Sequence, residues 1–210
     1  DTAASVADAL DEGGAASIEW KLDGARIQVH RDGDRVAVYT RGLNEVTARV
    51  PEVVEAVRSM PARELILDGE VIALSADGRP CSFQETMRRF GRRLDIERMV
   101  AERPLTPFFF DLIHHDGESI LDEPPSARLE RLALVAPPAV RVPRIVTADV
   151  GEGERFQADT VARGHEGVMV KSLDSPYAAG RRGSAWPKVK TARTLALVVP
   201  AGEGGWGRRN

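Results

Sequence analysis

Apolar and polar residues alternate on both sides of Asp32-Gly33, with Ile27 and Val29 before the pair and Val36 and Val38 after it. A period of two interrupted by Asp-Gly predicts a β-hairpin, because that pair accepts the backbone conformation a tight turn between twisted strands demands. Pro51 then opens a pattern with Val53, Val54 and Val57 on one face, a short helix whose proline sits where its missing N–H costs nothing. Residues 65–67 and 71–74 read as strand, interrupted by Asp68-Gly69-Glu70. A charged triplet inside an apolar run is expected as a turn or bulge, or as acidic side chains facing a site. Ser82 and Glu85 have the spacing of a capping box, which predicts a helix running on through Met87 and Arg88.

Three phenylalanines in a row, Phe108-Phe109-Phe110, begin a strand over residues 108–113. Phe109 must oppose its neighbours, so one face packs a core and the other can offer a ring to a planar ligand. His114 and His115 are expected in the loop that follows; adjacent side chains diverge and no third ligand has matching spacing, which sets a metal site aside. Ser126 is the expected cap of a helix through Leu129, Leu132 and Leu134, followed by a strand near residues 140–146 and a helix around residues 156–161. Glu166-Gly167 enters another strand that ends at Lys171, and Lys188 and Lys190 share a face at strand spacing. Residues 195–199 start one more strand. The opening stretch is alanine-rich and acidic, a helix (Val6, Leu10) broken at Gly13-Gly14, and no internal repeat is evident.

With 210 residues, 42% of them hydrophobic, the chain is long enough for one substantial domain or two lobes sharing a cleft. Its apolar runs are too short to span a bilayer and its first thirty residues carry no signal-peptide pattern, so no membrane partner and a cytoplasmic location are expected. A lone cysteine, Cys81, offers neither an intramolecular disulfide nor a zinc site. The net charge of −3 excludes a bulk basic surface, so any nucleic acid must meet local patches. Arg88, Arg89, Arg92 and Arg93 form the densest one, as a solvated helix face or a phosphate-backbone contact.

Of the 29 basic residues only four are lysine, at 21, 171, 188 and 190. Where arginine serves nearly everywhere, a lysine marks a place that needs an amine able to lose its proton and attack phosphorus or carbonyl carbon. Lys21 stands between Glu19 and Asp23, with Gly24 and Arg26 following, and reads as a covalent nucleophile. Neighbouring Lys188 and Arg26 are expected to disfavour its charged form. Arg41, Glu70, Phe110, Glu166, Lys188 and Lys190 also fall in strands or at strand ends, where a sheet-built cleft can bring them together. An amine, further cations, carboxylates and an aromatic face suit a nucleoside triphosphate with magnesium, and the absence of a Walker-type loop demotes a kinase or ordinary ATPase.

In chain order, Lys21-Leu22-Asp23-Gly24, Arg41-Gly42, Leu67-Asp68-Gly69-Glu70, Phe109-Phe110-Asp111-Leu112, Glu166-Gly167-Val168-Met169-Val170-Lys171 and Trp186-Pro187-Lys188-Val189-Lys190 resemble the motif set of the adenylation (nucleotidyltransferase) domain of ATP-dependent DNA ligases, over about residues 15–199. The resemblance implies an α+β, ATP-grasp-like ligase adenylation fold, two mainly antiparallel sheets with flanking helices and a nucleotide cleft between them. By the same resemblance, Lys21 is the adenylated lysine and Glu19 selects adenine, while Arg26 and Glu70 hold the ribose and Phe110 stacks on the base. Arg41 and Arg182 contact phosphate or the nucleotide, Lys188 with Lys190 holds the α-phosphate, and Glu166 with Asp23 serves Mg2+ or Mn2+. AMP would pass from the lysine to a DNA 5′-phosphate, and a 3′-hydroxyl would displace it to seal a nick in double-stranded DNA, with the protein acting as a monomer.

The wording most resembles the archaeal and bacterial form, which flanks this domain with a DNA-binding domain before it and an oligonucleotide-binding barrel after it. Residues 1–194 are therefore expected as the adenylation domain and 195–210 as the start of a truncated barrel. Without the barrel's last motif, which orients pyrophosphate, low activity of this stretch is expected. Pro187 and Ala196 depart from the family's usual residues. An RNA ligase or capping-type nucleotidyltransferase is the alternative within the superfamily, and a non-catalytic nucleotide- or DNA-binding module the alternative outside it.

Overall fold

The hairpin forms where the alternation places it, and Gly33 at its turn takes φ +57°, a conformation that costs a side-chain-free residue little. In this computed structural model, residues 3–10, 14–173 and 188–190 are described. In chain order the elements are α1 (Val6–Leu10), β1 (Ala16–Trp20), β2 (Ala25–Asp32), β3 (Arg35–Thr40), α2 (Pro51–Arg58), β4 (Glu64–Ala73), α3 (Phe83–Phe90), α4 (Ile96–Glu102), β5 (Leu105–His115), β6 (Glu118–Ser119), α5 (Pro125–Val135), β7 (Arg144–Thr147), α6 (Val150–Ala162), β8 (Gly167–Ser172) and β9 (Lys188–Lys190). Among the described residues they build two sheets of the order β3-β2-β4-β5-β6 and β7-β1-β8-β9, antiparallel at every pairing. The expected α+β class holds.

Each sheet buries one face under helices. Ile27, Val29, Leu65, Leu67, Val71 and Phe109 turn to the side covered by α2, α3 and α5, while Ile18, Val168, Val170 and Val189 pack with Val6 and Leu10 of α1 and Phe156 of α6. The opposite faces meet in a small third cluster of Leu22, Ile72, Phe108 and Val142, flanked by Trp20, Leu74 and Phe110. The triple phenylalanine thus divides as alternation requires, with Phe109 in the main core and its two neighbours on the side between the sheets.

Several expectations are corrected. Asp68-Gly69-Glu70 is not a turn but takes the bulge alternative: β4 runs through it, with an irregularity against β5 between Asp68 and Gly69. Gly69 is needed there because a Cβ would stand 2.9 Å from the Phe108 carbonyl oxygen. His114 and His115 belong to the end of β5, paired with the two-residue β6, not to a loop. The helix expected to be capped by Ser126 begins at Pro125 with Pro124 at the cap, since proline's fixed φ is already helical. The helix around residues 156–161 is longer, Val150–Ala162, and is capped by Asp149, which accepts from the Glu152 amide at 2.6 Å. The capping box of Ser82 and Glu85 forms as read. Residues 181, 182, 186, 187 and 195–210, with the expectations attached to them, lie outside the described residues.

Two buried ion pairs fasten the helices, one to the large sheet and one to each other. Arg128 of α5, 1% exposed, makes two bonds to Asp111 of β5 at 2.9 and 3.0 Å. Arg89 of α3 donates to Glu52 of α2 at 2.6 Å and to the Arg49 carbonyl at 3.0 Å, which takes it out of the basic patch proposed for phosphate. Arg88, Arg92 and Arg93 remain exposed. Removing one partner of a buried pair strands the other charge, so Arg128→Ala is expected to lower unfolding free energy by about 3–5 kcal/mol. Urea unfolding should show that loss, and Arg98→Ala on the solvent side of α4 should leave the midpoint in place.

Candidate active site

Lys21 is positioned by backbone pairing. It follows β1, whose last residues pair antiparallel with the first residues of β8, and the Lys21 amide donates to the Gly167 carbonyl at 2.9 Å. Antiparallel neighbours place the end of one strand beside the beginning of the next, so Glu166, just before β8, meets Lys21 although 145 residues separate them. Lys21 Nζ is in contact with Glu166 Oε2, its side chain 14% exposed. Lys188 is exposed, and the Arg26 guanidinium is bound to Asp68. The Lys-x-Asp-Gly glycine has a packing reason, because a Cβ on Gly24 would run into the Val71 carbonyl oxygen.

Trp20 and His165, each one residue before a member of the Lys21–Glu166 pair, stack with ring centroids 4.2 Å apart. Burial, with help from the Arg163 charge, pushes the His165 imidazole down to about 4, so it is a neutral ring at physiological pH. This stack adds a side-chain tie to the backbone one and holds the ends of β1 and β8 together.

The wall from the small sheet carries Glu19, 3% exposed, in contact with Lys171 and 3.6 Å from Arg144 Nη2. Its Oε2 is buried with no hydrogen-bond partner among the described residues. Lys171 Nζ also lies 4.5 Å from the centre of the half-buried Phe110 ring, on the opposing sheet. From that sheet come Arg26, whose guanidinium carbon is 5.5 Å from the same ring, and Glu70, whose Oε1 accepts from the Gly24 amide at 2.6 Å. Desolvation holds the Glu70 carboxyl above its ordinary range, against the opposing pull of the Gly24 hydrogen bond and the Lys21 charge. Asp23 is exposed in the turn after Lys21, and its charge adds to the upward push.

The structure therefore brings Lys21, Glu166, Glu19, Phe110, Arg26 and Glu70 to one cleft. Lys188 and Lys190 belong to β9, beside β8, with Lys188 paired to Met169 and Lys190 to Gly167. Arg41 stands exposed on the turn beyond β3 and makes no hydrogen bond or ion pair to the other site residues among those described. Arg182 lies outside the described residues. Sequence reasoning gave no role to Lys171, Arg144 or Asp68. The first was flagged by its rarity and the third by its place in a charged triplet, whereas nothing marks one arginine among 25.

The family model described as the ATP dependent DNA ligase domain matches residues 1–190. The chain belongs to that family. A probable DNA ligase of Anaeromyxobacter dehalogenans (strain 2CP-C) is 57% identical over 209 residues, covering 99% of this chain and 41% of the relative. One of Mycolicibacterium gilvum (strain PYR-GCK) is 55% identical over 210 residues, with 100% and 41% covered. The chain thus spans about two-fifths of the length of the curated ligases it matches. Among solved structures, a mycobacterial DNA ligase D complexed with ATP and MES aligns with TM-score 0.65 at 28% identity, covering 84% of this chain and 54% of that one. The bacteriophage T7 ATP-dependent ligase in complex with ATP, at 17% identity, TM-score 0.58 and coverage of 90% and 66%, shares the fold.

The raised Glu70 carboxyl has a consequence for stability. The folded ligase domain holds that proton more tightly than the unfolded chain does, so the stability it supplies is present below the ordinary carboxylate range and lost as pH rises through the raised value. Glu70→Gln keeps an acceptor for the Gly24 amide without the charge. Its unfolding free energy relative to the parent is expected to improve as pH climbs from about 4 toward neutrality, and urea unfolding across pH would contradict this if the difference stayed flat.

Proposed function

We propose that this cleft transfers AMP from ATP to Lys21 and that the adenylate serves to seal nicks in duplex DNA. The observation that carries the reading is the Lys21–Glu166 contact in a cleft that also holds the Phe110 ring and the buried Glu19 carboxylate. The family match supports ATP as the nucleotide. Lys21 Nζ attacks the α-phosphorus, the bond to the bridging oxygen breaks, pyrophosphate leaves with the electron pair, and a lysine–AMP phosphoramidate remains. An ammonium cannot attack, so its proton goes first, and Glu166 Oε2 is the acceptor in contact with it. AMP then passes to a DNA 5′-phosphate, and the 3′-hydroxyl expels it as the phosphodiester closes.

In this reading Glu19 recognises the adenine, its Oε2, which accepts no hydrogen bond among the described residues, taking one from an exocyclic amine, and Phe110 stacks on the base. Arg26 and Glu70 hold the ribose, Lys188 and Lys190 the α-phosphate, and Arg41 and Arg182 other phosphates. Mg2+ or Mn2+ fits the donors at hand: Glu166 and Asp23 offer carboxylate oxygens, and no group of three or more His, Cys, Asp or Glu able to hold a metal occurs among the described residues. The remaining ligands would be water and phosphate oxygens, as is usual for magnesium, and the ion when bound neutralises phosphate charge. Residues 1–194 make up the adenylation domain and 195–210 open an oligonucleotide-binding domain. The working protein is a cytoplasmic monomer on nicked DNA.

Intact-mass spectra before and after ATP with magnesium test the reading. A gain of one AMP that acid removes and Lys21→Ala abolishes is expected, with GTP giving none. An adduct that survives Lys21→Ala, or none in a chain extended to the length of its relatives, would overturn it. A GTP adduct would favour a capping-type enzyme.

A further inference from the structure

Asp68 is 2% exposed, and a carboxylate so buried must be held by donors. Its two oxygens have different ones: Oδ2 accepts from Arg26 Nη2 at 2.9 Å and Oδ1 from Gln28 Nε2 at 3.0 Å. Gln28 in turn lies 2.9 Å through Oε1 from His30 Nε2, and because its own nitrogen points at Asp68, the imidazole must be the donor in that bond. The His30 ring packs edge-on against Tyr39 of β3, with centroids 5.3 Å apart. Arg26, Gln28 and His30 occupy alternate positions of β2 and so share the face turned toward the cleft. Their hydrogen bonds run in one direction, from His30 to Gln28 to Asp68, where they meet the guanidinium.

Arg26 needs such a restraint. Its side chain is 41% exposed, and its cross-strand partner Glu70 already accepts from the Gly24 amide. A long flexible side chain in that setting has many rotamers, and ordering it costs entropy. The ion pair to Asp68 restricts it beside the Phe110 ring, and the tilt of the Asp68 carboxylate decides where the guanidinium lies.

We propose that Gln28, oriented by His30, is a positioning residue that sets the Asp68 carboxylate and thereby presents Arg26 to the sugar of the bound nucleotide. The inference rests on the reading that Arg26 holds the ribose, and its test separates the two. In a Lys21→Ala background, where nucleotide binds without being consumed, affinities for ATP and 2′-deoxy-ATP are measured calorimetrically for the parent, Arg26→Ala, Gln28→Leu and His30→Leu, with thermal melts of each.

The parent should prefer ATP, and Arg26→Ala should erase the preference. Gln28→Leu should reduce it about fivefold, on the order of one well-placed hydrogen bond, with His30→Leu moving it in the same direction. Loss of the preference in Arg26→Ala but not in folded Gln28→Leu or His30→Leu would overturn the positioning role and leave the Arg26 reading standing. A preference untouched by Arg26→Ala would overturn both. A general loss of packing would weaken both nucleotides equally, so the ratio is the decisive readout.

Discussion

The antiparallel pairing of β1 with β8 is the constraint on which the site depends. It delivers Lys21 to Glu166 through the Lys21–Gly167 backbone bond, and the Trp20–His165 stack holds the two strand ends together. From that junction the rest follows by alternation. Residues one step along β1 and β8 either join the helix-side core, as Ile18 and Val170 do, or face the large sheet, as Glu19 and Lys171 do. A one-residue slip of the register would exchange the two sets and destroy core and site together.

Buried carboxylates recur on both sides of the large sheet, with different consequences. On the helix side, Asp111 and Glu52 are each bound to an arginine and bring α5, α3 and α2 onto their neighbours. On the cleft side, Asp68 and Glu19 are also paired with cations, but there the partners are Arg26 and Lys171, which lie against the Phe110 ring. The same pairing chemistry that fastens the fold holds the site's cations in place.

Much of this was legible in the chain. The hairpin, the capping box and the division of Phe108, Phe109 and Phe110 between two faces all follow from local periodicity, and the scarcity of lysine pointed to Lys21. What escaped was set by partners distant in sequence or by faces without apolar contrast. The five residues of β1 alternate, but the polar side, Ser17 and Glu19, is buried as well, because Glu19 meets Lys171 and Arg144 from strands far along the chain. Helix α4 fully buries no residue, and its short apolar set of Ile96, Met99 and Val100 is only partly covered. Arg89 looks like any other arginine of its cluster until Glu52, 37 residues earlier, is seen beside it.

The most direct test of the account is a crystal structure of the Lys21→Ala chain with ATP. Adenine lying on the Phe110 ring, its amino group at Glu19 Oε2 and its α-phosphorus beside position 21, is the predicted result. Nucleotide bound elsewhere, such as the concave patch of about 390 Å³ lined by His30, Tyr39 and His114 on the outer part of the large sheet, would contradict it.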